Sequence, residues 1–299
     1  MNDPGLPPFE NQRSSGQDIL LPRKAGSRHE RMLLVEISSR DRNIVSYPTP
    51  SVFRWKFQRP MKDIKSVTLV GATIPNRIFN LDVGWNSFTF QEATVTWTVT
   101  LTPGIYTTTT LASALQGALN TLSGISNTYV CSILSATDQL KISTGGTAPF
   151  SLLFTSGQYV DQYENNILRM MNSPARMMGF LTADYTSDTK QIISPFAADC
   201  DFLTNRIYLY LNQDNAFDMI TTERTSGRKG PFTILYPDPG VAYTTVNKNT
   251  YEFAPIYLSS PAPIARLINL DIALRDEFYR PLNLNGRDFT LVLEVLYLE

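Results

Sequence analysis

Residues 38–81 read SSRDRNIVSYPTPSVFRWKFQRPMKDIKSVTLVGATIPNRIFNL. A charged loop, Arg40-Asp41-Arg42, leads into a proline clamp, Tyr47-Pro48-Thr49-Pro50. Phe53, Trp55 and Phe57 then alternate with Arg54 and Lys56, the pattern of a half-buried strand. Arg59-Pro60 predicts a turn, and a longer strand follows over residues 64–74 until Pro75-Asn76 stops it. Proline at a strand end removes no donor that the ladder needs. Paired strands of a β-sandwich account for the whole stretch.

Upstream, residues 32–38 predict a first strand with Leu33, Val35 and Ile37 facing in. Residues 1–31 have no apolar period, and Pro4, Gly5, Pro7, Pro8 and the basic Arg23-Lys24 leave little to bury. Such a segment cannot offset its ordering entropy alone. Phe9, Ile19, Leu20 and Leu21 are its apolar exceptions. It reads either as a free tail or as an extended N-terminal arm that orders when these anchors dock on a neighbour.

Downstream, residues 86–91 and 94–101 predict a hairpin around Glu92-Ala93, with Val95, Trp97, Val99 and Leu101 on one face and threonines on the other. Residues 107–122 predict a helix, with Leu111, Leu115, Leu119 and Leu122 on one stripe and Thr107 or Thr108 as its cap. Short strands are expected over 128–134, 139–143 and 150–154, then helical turns over 165–171 and 174–180. Met170, Met171, Met177 and Met178 read as soft core filler, with an adaptable contact surface as the alternative. Residues 104–184 thus form a small α+β insert in a sandwich made of residues 32–103 and 185–299. In that second part, Ile207, Leu209 and Leu211 are expected inside and Tyr208 and Tyr210 outside. Residues 264–275 and 289–298 are the clearest strands and should lie centrally, with Ile268, Leu270, Ile272 and Leu274 facing in and Asn285-Gly286 turning between the two. About a dozen strands and one long helix give a mainly β fold, a jelly-roll-type antiparallel β-sandwich, with two tandem jelly rolls as the alternative.

Composition narrows the function. Charged residues are 18% of the 299, below the usual quarter, which suits a subunit covered by neighbours. A net charge of −1 gives no global pull towards nucleic acid. No apolar run approaches the ~20 residues of a spanning helix, and the start lacks a signal-peptide pattern. Cys131 and Cys200 read as buried thiols of a reducing compartment, a disulfide between them being the weaker option. His29 stands alone in a basic segment, so no metal, cofactor or catalytic residue is assigned. Asp199 and Asp201 are a tight acidic pair, read as a loop rather than as carboxylates set across a cleft.

Several short motifs resemble the minor capsid proteins of nucleocytoplasmic large DNA viruses. They are the S-R-D-R loop, Y-P-T-P-S-V-F, a V-T-L strand ending in I-P-N, Pro103-Gly104-Ile105-Tyr106 before the helix, Met178-Gly179-Phe180, and Gly286-Arg287-Asp288-Phe289 before the last strand. The resemblance implies a non-enzymatic structural protein of the virion shell, made in the host cytoplasm and joined to the major capsid protein and other minor capsid proteins, with self-association open. It implies no specific nucleic acid partner, and it leaves room for an internal viral membrane beneath the shell. A penton vertex protein and a jelly-roll carbohydrate-binding or attachment module, with Trp85 or Tyr208 stacking on a sugar, are the alternatives. Aromatic, apolar and arginine side chains are the usual anchors of an interface. The candidates here are Phe9, Leu20, Leu21, Arg40, Arg42, Tyr47, Trp85 and Arg228.

Overall fold

The computed structural model describes residues 29–160, 171–187, 190–211, 231–238, 241–247, 256–257 and 264–298. The N-terminal arm and its anchors Phe9, Leu20 and Leu21, the loop with Arg228, and the turn expected over 165–171 up to and including Met170 lie outside them. Of the described residues, strands take up 47% and helix 7%, so the fold is mainly β. It is antiparallel and of the jelly-roll-like sandwich type.

The elements run in chain order as β1 (Glu30–Ser38), β2 (Val52–Pro75), β3 (Ser87–Glu92), β4 (Val95–Thr100), α1 (Thr108–Asn120), β5 (Tyr129–Ile133), β6 (Gln139–Thr144) and β7 (Phe150–Leu153). There follow β8 (Tyr185–Thr186), β9 (Gln191–Ala197), β10 (Ile207–Leu211), β11 (Thr233–Leu235), β12 (Tyr243–Asn247), β13 (Ile256–Tyr257), β14 (Ile264–Arg275) and β15 (Thr290–Leu298). The largest sheet has the order β1-β15-β2-β14-β10-β11, with β12 and β13 also pairing to β2. As expected, β14 and β15 are central. The first and last of these strands meet in this sheet, β1 pairing with β15 from Glu30↔Leu298 to Ser38↔Thr290.

No turn forms at Arg59-Pro60. β2 runs on through it as one strand of 24 residues. The partner strand absorbs the irregularity: Lys56 faces Asn269 and Met61 faces Leu267, so residues 57–60 bulge opposite Ile268 alone. Pro60 therefore sits where no ladder bond is required. The bulge and the left-handed Asp63 (φ 52°) also shift the alternation of faces. Phe53 points in before the bulge, Phe57 within it and Met61 after it, and past Asp63 the buried side chain is Ile64. On β14 the inward set becomes Leu267, Leu270, Ile272 and Leu274, and Ile268, expected inside, is 37% exposed.

The hydrophobic core has two clusters. One gathers residues from 35–78 and 207–295, including Ile37, Phe53, Ile64, Leu209, Leu270, Phe289 and Leu293. The other gathers residues 81–203 and Phe278. It is enclosed by β4-β3-β7-β8, by β5-β6-β9 and by α1. The second cluster is thus interposed in the chain between the two parts of the first. Pairing crosses the bounds of residues 104–184: β3 pairs with β4 and β7, and β6 pairs with β9.

The helix forms as its sequence dictates. Leu111, Leu115 and Leu119 are fully buried on one stripe. Thr107 caps it: Thr110 N–H donates to Thr107 Oγ1 (3.2 Å) and Thr107 N–H to Thr110 Oγ1 (2.8 Å). Glu92 is buried beside it and accepts from Ser126 N (2.7 Å), Asn127 N (2.9 Å) and the Tyr129 hydroxyl (2.9 Å). That satisfies a carboxylate which would otherwise be costly to bury. Residues 174–180 form the expected turn, with Met178 N–H donating to Pro174 O (3.0 Å), and Met171, Met177 and Met178 are core side chains of the second cluster.

Candidate functional site

Two of the motifs singled out in the sequence lie 246 residues apart and meet in one clasp. Ser38 caps a single 3₁₀ turn over Ser39–Asp41. The turn delivers Ser39 to the start of β15: Ser39 N–H donates to Phe289 O (2.9 Å), Phe289 N–H donates to Ser39 Oγ (2.9 Å), and that hydroxyl donates to Asp288 Oδ1 (2.8 Å). Arg42 closes the clasp. Its Nη1 donates to Asp288 Oδ1 and to Ser39 O, each at 2.7 Å, and its Nε to Tyr47 O at 3.0 Å. Only 9% of the Arg42 side chain is exposed, whereas Arg40 is 82% exposed and 3.9 Å from Asp288. Of the two arginines of the S-R-D-R loop, then, Arg42 holds the fold and Arg40 is offered to solvent. Tyr47 is half-buried against the first core.

Trp85 is 4% exposed and belongs to the second core. The Arg280 guanidinium lies over its ring at 4.7 Å and is itself paired with the buried Asp276 (2.7 Å). Trp85 therefore has no free face for a sugar or a partner. Tyr210, expected outside, is 8% exposed, edge-on to Tyr279 at 5.0 Å, while Tyr208 is half-buried.

The exposed apolar side chains are elsewhere. On β1, Met32 (62%), Leu34 (58%) and Leu33 (43%) are exposed, although Leu33 was expected to face in with Val35 and Ile37. This strand ends the large sheet. Ile44 and Val45, in the loop beyond Arg42, are exposed as well. A further apolar cleft of about 340 Å³ opens on the second cluster, between Met171, Phe180, Leu181 and Phe196, with Arg176 and Asp199 at its rim. These residues lie on loops and strand ends, where burial cannot be read from alternation.

The groups that could carry chemistry are occupied or withdrawn. Asp199 Oδ1 accepts from Asp201 N–H (2.9 Å), a loop-turning contact. Cys131 and Cys200 are free and buried. Burial pushes the Cys131 thiol up to about 12, and burial with the nearby Asp201 and Asp199 charges does the same for Cys200. Among the described residues, no group of three or more His, Cys, Asp or Glu is placed to hold a metal, and no helix is long and apolar enough to cross a membrane. Among the described residues, what the geometry offers is surface, on a sheet edge that none of their strands covers and on its neighbouring loops.

Comparison with known proteins gives three findings. Residues 18–220 match the family described as "Family of unknown function (DUF5901)". A search of the curated proteins finds no match. Among solved structures, the crystal structure of selenomethionine-labelled mavirus penton protein aligns over 91% of this chain and 100% of that chain, at TM-score 0.45 and 12% identity. A likeness that loose assigns no role.

Proposed function

The chain belongs to the DUF5901 family, and for this member we propose a structural role in the shell of a large icosahedral double-stranded DNA virus. It acts there as a minor capsid protein that bridges or stabilises the major capsomers by protein–protein contact. The motif resemblance gives the setting. The observation that carries the mechanism is β1, a sheet-ending strand with Met32, Leu33 and Leu34 exposed together. An apolar strand edge left open is a template for another chain, and free proteins ordinarily blunt it. In a shell it is covered on assembly.

A penton position at the vertex uses the same edge and is the second reading. Locating the chain in a particle map tests both. Density between capsomers on the facets supports the minor-protein role, and density at the fivefold vertices supports the penton. Recovery of the chain only outside purified particles overturns both. Arg40 and the loop with Ile44 and Val45 are the contacts proposed beside β1, with Tyr47 partly available at their base.

A further inference from the structure

The outward face of β1 reads Met32, Leu34, Glu36. Glu36 is exposed and has no ion-pair partner among the described residues, whereas Glu30 is taken up by Lys65. On the other face Leu33 is left half uncovered. Among the described residues, no strand pairs with the outer edge of β1. The strand ERMLLVEIS contains no proline, and its pairing with β15 runs without a bulge, so neither device blunts that edge.

A strand that covers this edge in the same chain direction needs two apolar residues two apart, then a cation two further on. Residues 19–24, ILLPRK, lie outside the described residues and have that pattern: Ile19, Leu21 and Arg23 share one face. With Ile19 beside Met32, Leu21 falls beside Leu34, Arg23 beside Glu36, and Leu20 beside the uncovered Leu33. Pro22 has no N–H. With its nitrogen turned away from β1, it gives the added strand a poor outer edge, and growth stops there.

The donor must be another copy. Residues 24 and 30 are joined by only five residues, and parallel neighbours need a crossover of about a dozen or more. We propose that residues 19–24 of one copy add as a parallel strand to β1 of a neighbouring copy. This deepens the shell reading and takes its setting from it. The link from residue 24 to residue 30 spans at most ~20 Å when extended, so the first strand of the donor copy begins within that distance of the end of the recipient's β1.

The test uses full-length L21C and L34C variants, mixed and mildly oxidised. The native cysteines are buried and do not compete. The expected result is a heterodimer whose disulfide joins position 21 of one variant to position 34 of the other. Homodimers joined through position 34 alone, linkage confined within one chain in a variant carrying both changes, or no linkage overturn the proposal. Reversing either charge, by Glu36→Arg or Arg23→Glu, should weaken self-association in sedimentation by roughly two- to fivefold, the scale of an exposed ion pair. The combination should restore it, and failure to restore overturns the pairing. All variants should melt with the wild type, because the changed positions on β1 are solvent-facing. Loss of linkage in a protein still found in particles would overturn this pairing and leave the shell role; linkage retained in a protein absent from particles would do the reverse.

Discussion

Arg40 and Arg42 flank the same aspartate in one short motif, yet replacing them by alanine should have unequal effects. Arg42→Ala removes bonds to Asp288 Oδ1, Ser39 O and Tyr47 O at 2.7, 2.7 and 3.0 Å. Each such bond contributes about 1 kcal/mol net, more where a charge is involved. Asp288 would keep the Ser39 hydroxyl, and at 28% exposure it would also gain water. The loss should be about 2–3 kcal/mol, below the full penalty for stranding a deeply buried charge. Arg40→Ala gives up only a 3.9 Å contact from an 82% exposed side chain, so its effect should stay within about 0.5 kcal/mol. Urea unfolding followed by tryptophan fluorescence measures both, and a thermal melt should place Arg42→Ala about 3–6 °C lower. Arg42→Lys should recover little, since an ammonium cannot reproduce the guanidinium's fixed fork. Equal losses at positions 40 and 42, or a lysine variant as stable as the wild type, would refute the clasp.

Glu92→Gln should destabilise by about 1–3 kcal/mol in the same assay, because an amide oxygen replaces only one of the two acceptors that hold Ser126, Asn127 and Tyr129. Gly179→Ala should abolish soluble expression or lower the melting point by far more than Gly286→Ala. Both glycines have positive φ, but only at Gly179 would a Cβ lie 2.3 Å from a backbone oxygen, that of Phe196. Cys131 and Cys200 should resist a thiol reagent at pH 8 in the native protein and react fully in denaturant. Their folded-state pKa values lie above the ordinary thiol value, so the native chain holds protons that the unfolded chain releases. The stabilisation they give is complete below about pH 9 and is lost as pH rises towards 12, which a pH series of melts would register.

Elements with a regular period were readable in the sequence. The helix appeared with its threonine cap, and β14 and β15 were placed centrally, because leucine spacing and alternation follow directly from how each backbone turns. Pro60 misled because a proline and its neighbours can be carried in a bulge instead of a turn, and the partner strand that permits this comes some 200 residues later. Ile268 and Leu33 show the same limit: each fits its strand's inward pattern, but a bulge and a sheet edge decide their exposure. The interface candidates were chosen by residue type, which cannot tell Arg40 from Arg42. Nor can it show that an arginine from the β14–β15 loop covers Trp85.

The pairing of β1 with β15 bears on how the polypeptide matures. Nine residues of β1 are hydrogen-bonded to β15, about 250 residues further on, so the first core cannot close until β15 has left the ribosome. Residues 81–203 supply nearly all of the second core and can consolidate earlier, while translation continues. Until β15 emerges, Met32 to Ile37 lack their partner strand, and the growing chain holds them without the hydrogen bonds that they make in the folded sheet.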